Sequence, residues 1–195
     1  MAKMRILGID PGTARMGWGI VETEPKLTSP DSGVFETTKE SAHADRLAAL
    51  HSYLVNKIRS ERPDVVVVER LFFNFNVQTA MSVGEGRAMV MLAAAQNKVP
   101  VVEYTALTAK LLLAGHGRAE KKQLMASVMK ILGMRELPNH LDDSADALAM
   151  ALTHHYKLTG KSAKPITLKP KKSSASKSRA RSQKKGAQRK TRVAS

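Results

Sequence analysis

Short continuous apolar runs alternate along this chain with longer stretches in which apolar residues recur every three or four positions. Ile6-Leu7-Gly8-Ile9 and Val65-Val66-Val67-Val68 are runs of the first kind, and each stops on a carboxylate, Asp10 and Glu69. Runs this short, rich in β-branched residues, predict strands buried on both faces. Residues 16–22, around Gly17-Trp18-Gly19-Ile20-Val21, predict a second strand forming a hairpin with the first across Pro11-Gly12. A third strand is expected at 34–37. Leu47, Leu50, Leu54 and Ile58 mark one face of an amphipathic helix over 42–61, which Pro63-Asp64 ends. After the valine strand come a helix over 77–97, rich in Ala, Met and Val, and a strand at 99–104. Helices are expected at 107–114, 120–132 and 142–158. Three strands, then helix, strand, helix, strand and further helices predict an α/β sandwich on a five-stranded mixed sheet.

The carboxylates change that picture from architecture to chemistry. An ionised carboxylate at a buried strand end is unfavourable unless it is paired, hydrogen-bonded or bound to a metal. A third acidic group, Asp142-Asp143-Ser144-Ala145-Asp146, opens the strongly apolar last helix. Asp143 and Asp146, three residues apart, lie on one helix face, where like charges repel. One acid suffices as an N-cap, and Asp142 is the expected cap. Carboxylates from two strand ends and a helix start suit a hard divalent cation such as Mg2+. Other readings stand beside this one. Asp10 in Asp-Pro-Gly is also a turn residue, and Glu69 could pair with Arg70 at the surface. Gly8-Ile9-Asp10-Pro11-Gly12-Thr13 could cradle a nucleotide phosphate, as in actin-like kinases. Gly8, Gly12 and Thr13 are expected to leave room for a ligand beside Asp10.

There is no cysteine, which excludes disulfides and thiolate metal sites and fits a reducing compartment. No run approaches the ~18 apolar residues of a membrane span, so a soluble, cytoplasmic protein is expected. The net charge of +15 resembles a nucleic-acid signal, but its location matters. Residues 161–195 hold 13 Lys or Arg and no acid, leaving 19 basic against 17 acidic residues before them, a net of +2. A folded domain over 1–160 and a disordered basic tail over 161–195 are expected, the tail acting as a sequence-independent polyanion grip or as a solubilising extension.

Leu71-Phe72-Phe73-Asn74-Phe75-Asn76 concentrates three of the four phenylalanines directly after Glu69. Such a loop can stack on unpaired bases. Lys110 and Lys121 flank the glycine-bounded Gly115-His116-Gly117-Arg118, which together with Lys122 can hold phosphates. His154 and His155 lie two or more turns from the acids and are expected to pack or face solvent.

Four ordered motifs now coincide: Ile-Leu-Gly-Ile-Asp-Pro-Gly at 6–12, Val-Glu-x-x-Phe at 68–72, Gly-x-Gly-x-Ala-x-Lys at 115–121 and Asp-x-x-Asp-Ala-Leu-Ala at 143–149. Over roughly residues 4–158 the chain resembles the RuvC Holliday-junction resolvases of the ribonuclease-H-like superfamily. The resemblance implies a ribonuclease-H-like fold with Asp10, Glu69, Asp143 and Asp146 as catalytic, metal-binding acids. It implies that Phe72 stacks on a base at the junction and that Lys110 and Lys121 contact DNA near the cut, while Arg118 is a DNA-binding candidate from its place in the basic loop alone. Two Mg2+ ions per site, with Mn2+ as an alternative, would drive hydrolysis to 5′-phosphate and 3′-hydroxyl ends. Symmetric nicking of a four-way junction by a homodimer, in recombination and repair, follows, with RuvA and RuvB as partners and no membrane contact. Ala106 stands where many relatives carry proline, and the basic tail lies outside the resemblance. Three alternatives are a relative that processes ribosomal RNA precursors, an actin-like kinase fragment and a non-catalytic DNA-binding module.

Overall fold

The computed structural model describes residues 3–70, 77–135 and 142–163. The strands are β1 (Arg5–Asp10), β2 (Arg15–Glu22), β3 (Ser32–Glu36), β4 (Val65–Glu69) and β5 (Val101–Tyr104). The helices are α1 (His43–Glu61), α2 (Val77–Gln96), α3 (Ala106–Ala109), α4 (Lys121–Leu132) and α5 (Asp142–Thr159), with a π-helical turn over Lys110–Ala114. One mixed sheet runs β3-β2-β1-β4-β5. β1, β2 and β3 are antiparallel neighbours, while β4 pairs parallel with β1 and β5 parallel with β4. The mixed five-stranded sheet expected from the pattern is therefore the observed one. No helix among the described residues is long and apolar enough to cross a membrane.

Side chains alternate across a sheet, so the two sets of strand residues bury themselves against different helices. Leu7, Ile9, Ile20 and Val66 pack with Leu50, Leu54 and Ile58 of α1 and Val90, Ala93 and Ala94 of α2. Ile6, Val21, Val65 and Val67 pack on the opposite face with α4, α5 and the π-helical turn. The same period of two decides where the acids stand. Asp10 follows Ile6 and Gly8 on the α5 face, and Glu69 follows Val65 and Val67.

α5 lies unusually close to the sheet, and glycine is the reason. A Cβ at Gly8 would stand 1.9 Å from the Ala147 carbonyl oxygen, and one at Gly17 would stand 2.1 Å from that of Asp143. Both distances are prohibitive, so only glycine lets the helix backbone rest on β1 and β2. Ala145, Ala147, Ala149 and Ala151 are all buried on the helix. This contact fixes how far the first turn of α5 stands above the strand ends.

Two local features differ from the pattern-based reading. The helix expected at 107–114 is a single α-helical turn capped by the Thr105 side chain, which accepts from the Thr108 N–H, followed by the π-helical turn. On that turn the Leu112 carbonyl accepts a hydrogen bond of 2.8 Å from the Ala163 N–H, so the chain folds back after α5. Glu120 caps α4 in a reciprocal capping box with Gln123, a choice that sets Lys121 as its first helical residue.

Candidate active site

β1 and β4 run parallel, so their C-terminal ends deliver Asp10 and Glu69 to the same edge of the sheet. The first two turns of α5 bring Asp143 and Asp146 above that edge. The charges of Asp146, Glu69 and Asp143 all act on Asp10, which shows that the four predicted acids form one electrostatic unit. Burial, then these three neighbours, push the Asp10 carboxyl up to about 7, opposed by Lys121. Glu69 is also raised, by burial first and by Asp146 second. The Ala106 N–H at the start of α3 donates a hydrogen bond to it and, with the Lys110 charge, works the other way. Arg70 does not neutralise Glu69; it pairs at 3.6 Å with Glu103 of β5, which also holds Arg87.

Each α5 acid has a cationic partner. Lys121 Nζ lies 2.8 Å from Asp146 Oδ2 and 3.9 Å from Asp142 Oδ2, and an Arg15 guanidinium nitrogen lies 3.1 Å from Asp143 Oδ2. Burial raises the Asp146 carboxyl even against the Lys121 hydrogen bond. Burial disfavours the Lys121 ammonium, yet its hydrogen bond to Asp146 and the charges of Asp146, Asp142 and Asp143 raise it overall. Asp142, the expected cap, is the exposed first residue of α5, and the position before it lies outside the described residues.

A cavity of about 180 Å3 opens beside the acids, lined by Glu69, Lys110, Lys121 and Asp146 on its polar side and by Leu124 and Met150 on its apolar side. Lys110 and Lys121 thus line one cavity with Glu69 and Asp146. Arg118 is exposed in the loop before α4 and does not line the cavity. Phe72 and the rest of the aromatic loop lie outside the described residues. Thr13 does not flank an open ligand space: it is buried, with its hydroxyl 2.5 Å from that of Ser82 on α2. His154 is buried, and its Nδ1 lies 3.0 Å from the Tyr104 hydroxyl, a packing role as expected. Arg15 was not singled out by sequence reasoning. Its signal was available: two residues before Gly17 on β2, the period of two puts it on the α5 face.

The donor set is chemically suited to a hard cation, being four carboxylates with no sulfur or imidazole among them. Burial first, and then the charges of neighbouring acids, raise the proton affinities of Asp10, Glu69 and Asp146, so added positive charge would be favoured there. Among the described residues, no three His, Asp or Glu side chains are gathered at the spacing of a closed metal shell. Asp146 is instead turned to Lys121 and Asp143 to Arg15.

Against known proteins, the family model described as "Crossover junction endodeoxyribonuclease RuvC" matches residues 6–154. A relative from Roseiflexus sp. (strain RS-1) with that same description is 45% identical over 157 residues, which cover 80% of this chain and 93% of the relative. The solved structure of Thermus thermophilus RuvC superposes with a TM-score of 0.74 at 36% identity, covering 84% of this chain and all of that one. The same protein in complex with a Holliday junction substrate gives 0.74 at 35% identity, covering 84% and 99%.

Proposed function

The chain belongs to the RuvC family of crossover junction endodeoxyribonucleases, and from that premise we propose how its own residues cut a Holliday junction. The observation that carries the reading is the convergence of Asp10, Glu69, Asp143 and Asp146 on one edge of the sheet, rimmed by Lys110 and Lys121. A kinase fragment, an RNA-processing relative and a non-catalytic module lose their footing with the family assignment.

The four carboxylates would hold two Mg2+ ions, with Mn2+ as an alternative. Such ions, when bound, supply an activated water and stabilise the leaving 3′ oxygen. The chain's part is to present four carboxylate oxygen donors whose combined negative charge attracts a divalent cation. Lys121, hydrogen-bonded to Asp146, holds charge in the site until substrate arrives and then has a phosphate within reach. Lys110, which lines the same cavity beside Glu69, would contact the backbone of the same DNA strand, and Arg118 would reach a phosphate further along. Phe72 would stack on a base at the junction, a role resting on its place in the motif. The products would carry 5′-phosphate and 3′-hydroxyl ends.

A four-way junction offers two symmetric strands, so a homodimer making paired nicks matches the substrate. RuvA and RuvB as branch-migration partners, and a cytoplasmic location, belong to the same proposal. The basic residues beyond Ala163 would add sequence-independent phosphate contacts.

The test is incubation of a synthetic four-way junction with Mg2+, beside an Asp10→Asn variant. The parent is expected to nick symmetrically, and the variant to bind without cutting. Equal cutting by the variant would remove the carboxylate mechanism.

A further inference from the structure

The cations described so far, Lys110 and Lys121, stand on the β5 and α4 side of the acids. Arg15 stands on the other. It begins β2, pairs in register with Glu36 of β3, and lies two residues further out than Gly17, the partner of Asp10. Because β2 is antiparallel to β1, its first residue is at the sheet edge where β1 and β4 end. Arg15, Asp10, Glu69 and Lys110 therefore follow one another along that edge, on β2, β1, β4 and just beyond β5. Three strand spacings of about 4.8 Å separate β2 from β5, about 14 Å in all. A single DNA strand carries a phosphate about every 3.4 Å of helix axis, so this edge faces several consecutive phosphates.

Arg15 is held by Asp143 and by Glu36, both at 3.1 Å, and its side chain is 48% exposed. Pairs this open contribute little, so the guanidinium can exchange a carboxylate for a phosphate at small cost. A guanidinium is also suited to binding a phosphate through two N–H groups at once. Lys121 shows the same arrangement across the site, paired with Asp146.

We infer that Arg15 is a DNA-binding residue that takes a backbone phosphate of the cleaved strand on the β2 side of the acids, opposite Lys110 and Lys121. This rests on the junction-nuclease reading. It adds a second anchor, so that the strand is held on both sides of the bond to be cut and not pivoted about one side.

The experiment measures binding of the full chain to a synthetic four-way junction in chelator, so that nothing is cut, across a range of salt concentrations. Arg15→Gln should lower the slope of log affinity against log salt by about 0.9, the value of one phosphate contact. That corresponds to roughly eightfold weaker binding at 0.1 M salt, shrinking toward parity near 1 M. Arg15→Lys should keep a slope near the parent's. Arg59→Gln, at an exposed position on α1, should leave it unchanged. If Arg15 only pins Asp143, Arg15→Gln will slow cutting in Mg2+ with the salt slope of the parent, and the inference is overturned. Failure of the parent to cut in Mg2+ would instead strike at the nuclease reading itself.

Discussion

Replacing Gly17 by alanine adds one methyl group outside the acidic quartet and should disable it. That methyl would lie 2.1 Å from the Asp143 carbonyl oxygen, 2.4 Å from its carbon and 3.0 Å from its Cβ. Ordinary contact begins at 3.4 Å, so the helix backbone must retreat by about 1.3 Å at the residue that carries one of the acids. Overpacking of this kind destabilises by about 1–3 kcal/mol, which in a domain of this size lowers the melting temperature by roughly 5 °C. The functional effect is larger, because a 1 Å misplacement of reacting groups can cost about 100-fold in rate. Single-turnover cleavage of a four-way junction in Mg2+, well below the melting transition, should therefore fall about 100-fold. Junction binding in chelator should stay within about threefold of the parent. Gly133→Ala is the control: its φ of +66° disfavours a side chain but nothing lies within 4 Å, so stability falls by about 1–2 kcal/mol and cleavage per folded molecule holds. Cleavage by folded Gly17→Ala within threefold of the parent would refute the view that helix height sets the geometry of the acids.

The Asp10 carboxyl, pushed up to about 7 from an unfolded value of 3.8, binds its proton more tightly in the folded chain. Stability linked to it is thus present below pH 4 and lost as pH rises toward 7, by no more than about 4 kcal/mol. In chelator, Asp10→Asn should match the parent near pH 4 and melt progressively higher than it up to pH 8; parallel curves would contradict the shared-charge model. Mg2+ should raise the melting temperature of the parent at pH 8 and have little effect on that variant. Lys121→Met removes the hydrogen bond and charge that hold the Asp146 carboxyl down, so the acidic limb of the pH–rate profile should move to higher pH; an unmoved limb would separate Lys121 from that ionisation. Deleting residues 164–195, with 12 Lys or Arg and no acid, should flatten the salt dependence of junction binding by several units and spare catalysis, whereas an unchanged slope would make the tail a solubilising extension.

Much of the architecture was legible because buried strands and amphipathic helices carry unambiguous periods. β1, β4, α1 and α5 stand within a residue or two of where the apolar pattern put them. Asp10 and Glu69 stand out in the sequence because a carboxylate ending an apolar run needs a compensating partner, and Asp143 and Asp146 because more acids open α5 than a helix cap requires. The π-helical turn was not, since Lys110-Leu111-Leu112-Leu113-Ala114 has no local feature that separates a π turn from an α turn. Its geometry answers to the Ala163 N–H, some fifty residues away. Thr13 is a related case: its partner, Ser82 of α2, lies 69 residues further along the chain, and no spacing announces that contact. The period of two along β2 puts Arg15 on the α5 face, but its pairing with Asp143 and Glu36 depends on where α5 and β3 pack, which no local spacing encodes.

α5 is the last helix in the described chain and carries two of the four acids together with a large share of one core face. Until it settles onto Gly8 and Gly17, β1 and β4 display two separate carboxylates and an uncovered apolar surface. On the proposed four-carboxylate mechanism, a polypeptide still emerging from synthesis has the sheet, the lysines and half of the acids but no means of cutting. The order of the chain acts as a safety catch: the ability to break DNA arrives in the same step that completes the core, so a molecule that cuts is one that has finished folding.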